Sequence, residues 1–151
     1  MIPMHIHQAT IVNLDQLVPL FDAYRQFYAQ PSDLSGARAF LSERLKRAQS
    51  TIFLALDEAG AALGFTQLYP SFTSTRMQRI FILNDLYVAP ERRKLGVGKA
   101  LLAAAADFAR TEGAARLTLS TAIDNLTAQN IYEANGWVRE TAFYSYNLAL
   151  S

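Results

Sequence analysis

Arg93-Lys94-Leu95-Gly96-Val97-Gly98-Lys99-Ala100-Leu101-Leu102 carries the strongest structural signal in this chain. It follows an apolar, strand-like run, Ile80 to Val88, and opens an alanine-rich helix. A helix N-terminus leaves backbone N–H groups unpaired and carries the positive end of the helix dipole. Glycines let an anion approach that backbone closely. Arg92, Arg93, Lys94 and Lys99 add positive charge around it. The segment reads as a loop built to hold a pyrophosphate. Taken alone, it also reads as a glycine-rich helix entry with solvated basic residues.

Two common phosphate loops are excluded by position. The P-loop needs Gly five residues before its Gly-Lys and then Ser or Thr. Here Arg93 stands five before Gly98, and Ala100 follows Lys99. The dinucleotide fingerprint needs a third Gly three after the second, and that position is Leu101. What remains is Arg-x-x-Gly-x-Gly between a strand and a helix.

Outward from the loop, hydrophobic spacing predicts a strand over 4–11 and a helix to about Tyr28, with Asn13 and Gln16 as its capping box. A second helix covers 34–48. Strands are expected over Thr51 to Leu56, Ala62 to Tyr69 and Met77 to Val88, with Pro70 to Thr75 as a loop. The helix after the glycine loop runs from about Val97 to Thr111 and stops at Gly113. Arg116 to Ser120 reads as a buried strand, and Leu126 to Asn135 as a helix ended by Gly136. Trp137 to Glu140 and Phe143 to Leu148 read as two last strands. The order is β-α-α-β-β-β-α-β-α-β-β. This predicts an α/β fold in which a mixed sheet of six to seven strands is flanked by about four helices.

That order, with the glycine loop after the fourth strand, resembles the GNAT superfamily of N-acetyltransferases. A second motif carries the resemblance: Asp124-Asn125-Leu126-Thr127-Ala128-Gln129-Asn130-Ile131-Tyr132-Glu133-Ala134-Asn135-Gly136-Trp137 is similar to the family's Asn-x-x-Ala-x-x-Leu-Tyr-x-x-x-Gly-Phe. Ile131 and Trp137 replace Leu and Phe. A third, Asn84-Asp85-Leu86-Tyr87-Val88-Ala89-Pro90, resembles the strand before the loop, in the form of the histone- and polyamine-acetylating branch. Lys94 departs from the pattern, standing where the family usually has Gly, and a side chain there is less free to adopt positive φ.

The resemblance implies a mostly antiparallel central sheet and acetyl-CoA as cosubstrate. The N–H groups from Arg93 through Lys94, Leu95, Gly96, Val97 and Gly98 to Lys99 would face the CoA pyrophosphate. The strand Leu86-Tyr87-Val88 would line the pantetheine, with main-chain bonds from Leu86 and Val88. Asn125 would contact the cofactor arm, and it is also a plausible N-cap. Tyr132 would bind the cofactor's thiol end and protonate the departing thiolate. With a free tyrosine near pKa 10 and a thiol near 8.5, donation is not strongly driven. Hydrogen bonding to the developing charge is then its main contribution.

An amine must lose a proton before it attacks a thioester. Several family members place Glu at the position of Asn84, and Asn84 cannot act as a base. Asp85 is next in sequence, but strict strand alternation points it to the other face. It remains a candidate to bind a cationic substrate or to reach the amine through water, and equally a structural hydrogen-bond partner. Among the aromatics Tyr24, Phe27, Tyr28, Tyr69, Phe72, Tyr144 and Tyr146, tyrosine faces such as Tyr24 and Tyr28, with Asp33 and Asp85 nearby, would suit a cationic amine, while any single one of them reads equally as core or dimer interface.

Composition limits the other readings. At 151 residues the chain is expected to form one domain, 1–151. Hydrophobic content of 51% and charged content of 18% fit a folded protein, and the net charge of +1 calls for no nucleic acid. No apolar run approaches the roughly 20 residues of a membrane span, and no leader is visible. A cytoplasmic location is the expectation. There is no cysteine, so acyl transfer would be direct. His5 and His7 without a third ligand make a poor metal site, and no metal is expected. A homodimer is expected from family habit alone. The leading hypothesis is an acetyltransferase acting on a primary amine. The others are a CoA-binding sensor without turnover and an unrelated α/β phosphate binder.

Overall fold

The computed structural model describes residues 2–151. They form two compact units, one reaching to Ser120 and the other spanning Thr121–Ser151. The first contains β1 (Met4–Gln8), α1 (Leu14–Phe27), α2 (Leu34–Lys46), β2 (Thr51–Asp57), β3 (Ala62–Thr73), β4 (Gln78–Val88), α3 (Val97–Thr111) and β5 (Leu117–Thr118). Its sheet runs β1-β2-β3-β4-β5. All pairs are antiparallel except β4 with β5, which are parallel. The mixed, mostly antiparallel sheet agrees with expectation, but among the described residues it has five strands instead of six to seven.

Period-two alternation sends the two faces of β2 to different helices. Ile52 and Leu54 join Leu17, Phe21 and Leu41 in the core under α1 and α2. Phe53 turns the other way, meeting Phe108 of α3 at 5.7 Å, and Phe81 of β4 meets the same ring at 5.2 Å. On α3 the buried residues Val97, Leu101, Leu102, Ala105 and Ala109 form one stripe at helical spacing. Burying a leucine such as Leu101 contributes about 2 kcal/mol.

Several expectations change here. Thr10, not Asn13, caps the N-terminal turn: its hydroxyl accepts from Val12 at 3.3 Å, while Thr10 N–H donates to the Asn13 side chain at 2.9 Å. Asn13 gives no side-chain cap to α1 and instead bonds Gln16 at 2.9 Å. β3 continues through Pro70 to Thr73, where a loop was expected. Phe81 donates to the Arg116 carbonyl, on the β5 side, at 3.2 Å. Its pair with Pro70 is therefore not hydrogen-bonded, and the proline nitrogen faces the opposite edge. β2 pairs no further along that edge than Leu68, so the missing N–H costs no ladder bond. β5 shrinks to two half-buried residues.

Gly64 is required by close approach. A Cβ there would lie 2.6 Å from the Tyr87 carbonyl oxygen and 3.2 Å from Val88 Cα. Gly64→Ala forces β3 and β4 apart and should destabilise by about 1–3 kcal/mol. Chemical denaturation reads this, and an unchanged midpoint would refute the close contact.

The turn between α1 and α2 hangs on a buried carboxylate. Asp22 accepts from the Asp33 N–H at 2.7 Å, the Ser32 hydroxyl at 2.7 Å and Gln26 at 3.0 Å. The Asp33 N–H, then the Ser32 hydroxyl, hold it below the usual carboxylate range.

In the second unit, α4 spans Leu126–Ala134. It is followed by Gly136 at φ +90°, the left-handed position that ends a helix. Trp137 then donates back to the Tyr132 carbonyl at 3.1 Å. The two strands expected over 137–148 are not formed. The Glu140 side chain takes the amides of Ala142 and Phe143 instead. A local bond of that kind competes with a ladder, and alternation alone supplies no pairing partner.

Candidate active site

The glycine loop is a helix N-terminus open to an anion. Gly96 is the N-cap of α3 at φ +86°, with no side-chain cap and no acidic residue in the first turn. The leading N–H groups and the helix dipole are thus left for a ligand. A Cβ on Gly98 would touch only Val88 Cγ2, at 3.9 Å. Lys94 adopts φ +65° despite its side chain, a conformation costing about 1–2 kcal/mol outside glycine. Lys94 and Lys99 are exposed. The other two basic residues are engaged elsewhere. Arg92 lies 3.7 Å from Asp57. Arg93 donates from Nε to the Val88 carbonyl at 3.0 Å, with its guanidinium over the rings of Tyr87 and Phe27 at 5.6 and 5.8 Å. Arg93 thus lies along β4 and does not project as a free charge.

The edge of β4 has a defined polarity. Ala89 donates to the Leu63 carbonyl at 2.9 Å, so Val88 and Gly64 form a non-hydrogen-bonded pair. The main-chain groups of Val88, and of Leu86 two residues earlier, face away from β3. On that side β5 pairs only with Phe81 and Ile82. Leu86, and Val88 through its N–H, therefore offer main-chain groups that an extended ligand could pair with, while the Val88 carbonyl is held by Arg93.

A β-bulge sets this polarity. Gln67 pairs with Asp85 and Leu68 with Leu83, leaving Asn84 as the extra residue. Strict alternation across Asn84 and Asp85, assumed from sequence, fails at that point. Asp85 sits opposite Gln67, two residues from the Phe65–Tyr87 pair, and so shares their face. Phe65 on that face packs against Phe21 and Tyr24 of α1 at 6.1 and 5.7 Å. The Tyr24 hydroxyl donates to the Asn84 carbonyl at 3.4 Å, and Tyr28 packs on Tyr24 at 5.2 Å. The structure thus brings Tyr24, Tyr28 and Asp85 to one region.

Asp85 is 5% exposed. Gln67 Nε2 donates to one carboxylate oxygen at 2.7 Å, and Asn84 Nδ2 to the other at 3.1 Å. Tyr69 lies close enough to feel its charge. Burial, and then the charge of Asp85, push the Tyr69 phenol up to about 12, so its hydroxyl keeps its proton at neutral pH. Asp33 does not join this group. Its carboxylate caps α2, accepting from Gly36 N–H at 2.9 Å. Sequence reasoning missed Gln67. The available signal was a polar pair, Thr66-Gln67, inside the apolar run from Leu63 to Leu68.

In the second unit Asn125 caps α4, its Oδ1 accepting from Ala128 N–H at 3.2 Å. The amide nitrogen of the same side chain is not part of that bond. Tyr132 lies on α4 seven residues on, its ring 5.9 Å from Trp137. Among the described residues no helix is long and apolar enough to cross a membrane.

Comparison with known proteins agrees with this geometry. The model of the acetyltransferase (GNAT) family matches residues 17–137. The uncharacterised N-acetyltransferase YhfO of Bacillus subtilis (strain 168) is 49% identical over 96% of this chain and 97% of its own. A crystal structure of a "probable acetyltransferase" superposes with a TM-score of 0.93 at 47% identity, covering 97% of this chain and 98% of that one. An aminoglycoside N-acetyltransferase, AAC(6')-Iy, in complex with CoA has the same fold at TM-score 0.79 and 22% identity, covering 96% and 94%. With a family match over most of the chain and a relative 49% identical across nearly its whole length, on a fold with a glycine-flanked helix start after β4, the protein belongs to the GNAT family of acetyl-CoA-dependent N-acetyltransferases.

Proposed function

We propose that this enzyme transfers acetyl from acetyl-CoA to a primary amine by direct attack through a tetrahedral intermediate. The observation that carries the reading is Asp85: a buried carboxylate, held by two amide donors, beside the bulge of the strand whose open edge carries Leu86 and Val88. The N–H groups from Arg93 to Lys99 hold the pyrophosphate, with Lys94 and Lys99 adding charge. The pantetheine pairs with the edge of β4 as an added strand, which requires Arg93 to release the Val88 carbonyl. Asn125 contacts the cofactor arm through its amide nitrogen.

On the acceptor side, Asp85 receives the ammonium, with Tyr24 and Tyr28 lining its approach, and takes the proton directly or through water. The nitrogen lone pair then forms a C–N bond to the thioester carbon. The carbonyl oxygen becomes anionic, and the Val88 N–H stabilises it. Collapse breaks the C–S bond and the sulfur leaves with the electron pair. Tyr132 hydrogen-bonds or protonates the thiolate, and the second proton on the attacking nitrogen passes to the sulfur directly or by way of Tyr132, leaving the amide and the CoA thiol. With no cysteine in the chain, an acyl-cysteine relay is excluded. Holding amine and thioester together supplies much of the remaining acceleration.

The test is thiol release from acetyl-CoA against polyamines, amino acids, aminoglycosides and lysine peptides. Turnover with one amine class identifies the acceptor. Tyr132→Phe should lower kcat with that amine by about 10²-fold. An unchanged kcat would remove Tyr132 from the mechanism. Asn84 in place of a carboxylate favours a second reading, a CoA-binding sensor. Calorimetric CoA binding with no turnover across the panel would establish it.

A further inference from the structure

Gln67 is fully buried in the middle of β3, and its side chain has one job visible and one unfilled. A carboxylate only accepts hydrogen bonds, so the amide nitrogen must be the end that faces Asp85, at 2.7 Å. That orientation fixes the other end. Gln67 Oε1 is a buried acceptor with no donor among the described residues. Buried acceptors are ordinarily paired, and one left open at a functional carboxylate points to a ligand that brings the donor. The cluster borders solvent at Asn84, which is exposed, and at Tyr69, which is partly so.

Resting on the amine-acetylating reading above, we propose that Gln67 determines acceptor specificity by counting N–H groups on the attacking nitrogen. Asp85 and Gln67 Oε1 hold that nitrogen together, approaching from the Asn84 side. A primary ammonium has three N–H donors. One proton passes to Asp85, the two N–H that remain bond Asp85 and Gln67 Oε1, and the freed lone pair forms the C–N bond. As the C–S bond breaks and the sulfur leaves with its electron pair, the nitrogen gives up its second proton to the departing thiolate, leaving the amide N–H and the CoA thiol. A secondary amine after the same proton loss has one N–H, and an alcohol has a single O–H. Either leaves one acceptor unpaired, which a site built around hydrogen bonds penalises. The acceptor class is therefore primary amines, selected against secondary amines and hydroxyls.

Benzylamine, N-methylbenzylamine and benzyl alcohol test this, since the half-buried Tyr24 and the exposed Tyr28 bring aromatic rings to this region. Wild type should favour benzylamine over its N-methyl analogue by about tenfold or more in kcat/KM and form no ester. Gln67→Leu should flatten that ratio while CoA affinity by calorimetry stays unchanged. Gln67→Glu keeps an acceptor for the amine and shares a proton with Asp85 in place of the amide N–H, so it should retain the preference. A Leu variant with the wild-type ratio overturns the proposal. Benzylamine titrated into 15N-glutamine-labelled, CoA-saturated protein reads the same contact without turnover, with Gln67→Glu assigning the Gln67 amide signals. Signals that stay still while wild type releases thiol overturn the inference and leave the acetyltransferase reading standing. Signals that shift while neither benzylamine nor any amine of the panel above releases thiol support the inference and overturn that reading, and still signals with no thiol release across the panel overturn both.

Discussion

Replacing Asp85 by Asn lowers kcat with the acceptor amine by about 10²- to 10⁴-fold, the range expected when a general base is lost. The substitution changes almost nothing else. It preserves shape, and the network around it can adapt. Gln67 Nε2 and Asn84 Nδ2 both donate to the carboxylate, and an amide accepts only one of them with its oxygen. Gln67 can turn over and present Oε1, which lacks a donor in the native arrangement, to the new NH2 group. The variant should therefore melt at or above the wild-type temperature and bind CoA unchanged, while single-turnover acetyl transfer slows. Full activity in Asp85→Asn would make Asp85 a structural partner only. Lost activity with a lowered melting temperature would show that the buried pair with Gln67 serves stability first.

Gly98→Ala is expected to raise KM for acetyl-CoA by about tenfold or more and to leave stability unchanged or improved. In most glycine substitutions the two effects run together, but here the geometry separates them. An added Cβ meets only Val88 Cγ2 at 3.9 Å, an ordinary contact. Gly98 sits in the first turn of α3, and Ala in place of Gly stabilises a helix by up to about 1 kcal/mol. Nothing in the protein itself requires glycine at this position. The methyl group would instead stand where an anion approaches the first-turn N–H groups. Calorimetry with CoA and thermal melting separate the outcomes. Unchanged CoA affinity in the variant would move the pyrophosphate away from Gly98.

Much of this molecule was legible in one dimension. The strand, glycine turn and helix from Ile80 to Thr111 stand where spacing put them, because each depends on contacts between near neighbours. The same holds for α4, whose cap at Asn125 and stop at Gly136 are local backbone events. Lys94 was legible as an anomaly, and the loop holds it at positive φ all the same. The two late strands were misread because alternation in Phe143 to Leu148 describes a surface and not a partner. The loop assigned at Pro70 was misread because a proline's cost depends on which edge its nitrogen faces.

Sequence alone sufficed for the glycine-flanked helix start, the order of elements up to α4 and the family, since periodicity, caps and turns are set by residues a few positions apart. The surroundings of Asp85 came from tertiary pairing. The bulge at Asn84 arises from the register between β3 and β4, and it turns Asp85 onto the face of Tyr24 and Phe65. Gln67 meets Asp85 across 18 positions of sequence. The engagement of Arg93 with Val88 likewise depends on where the loop falls relative to β4. Register is a pairing between distant segments, so no window of the sequence contains it.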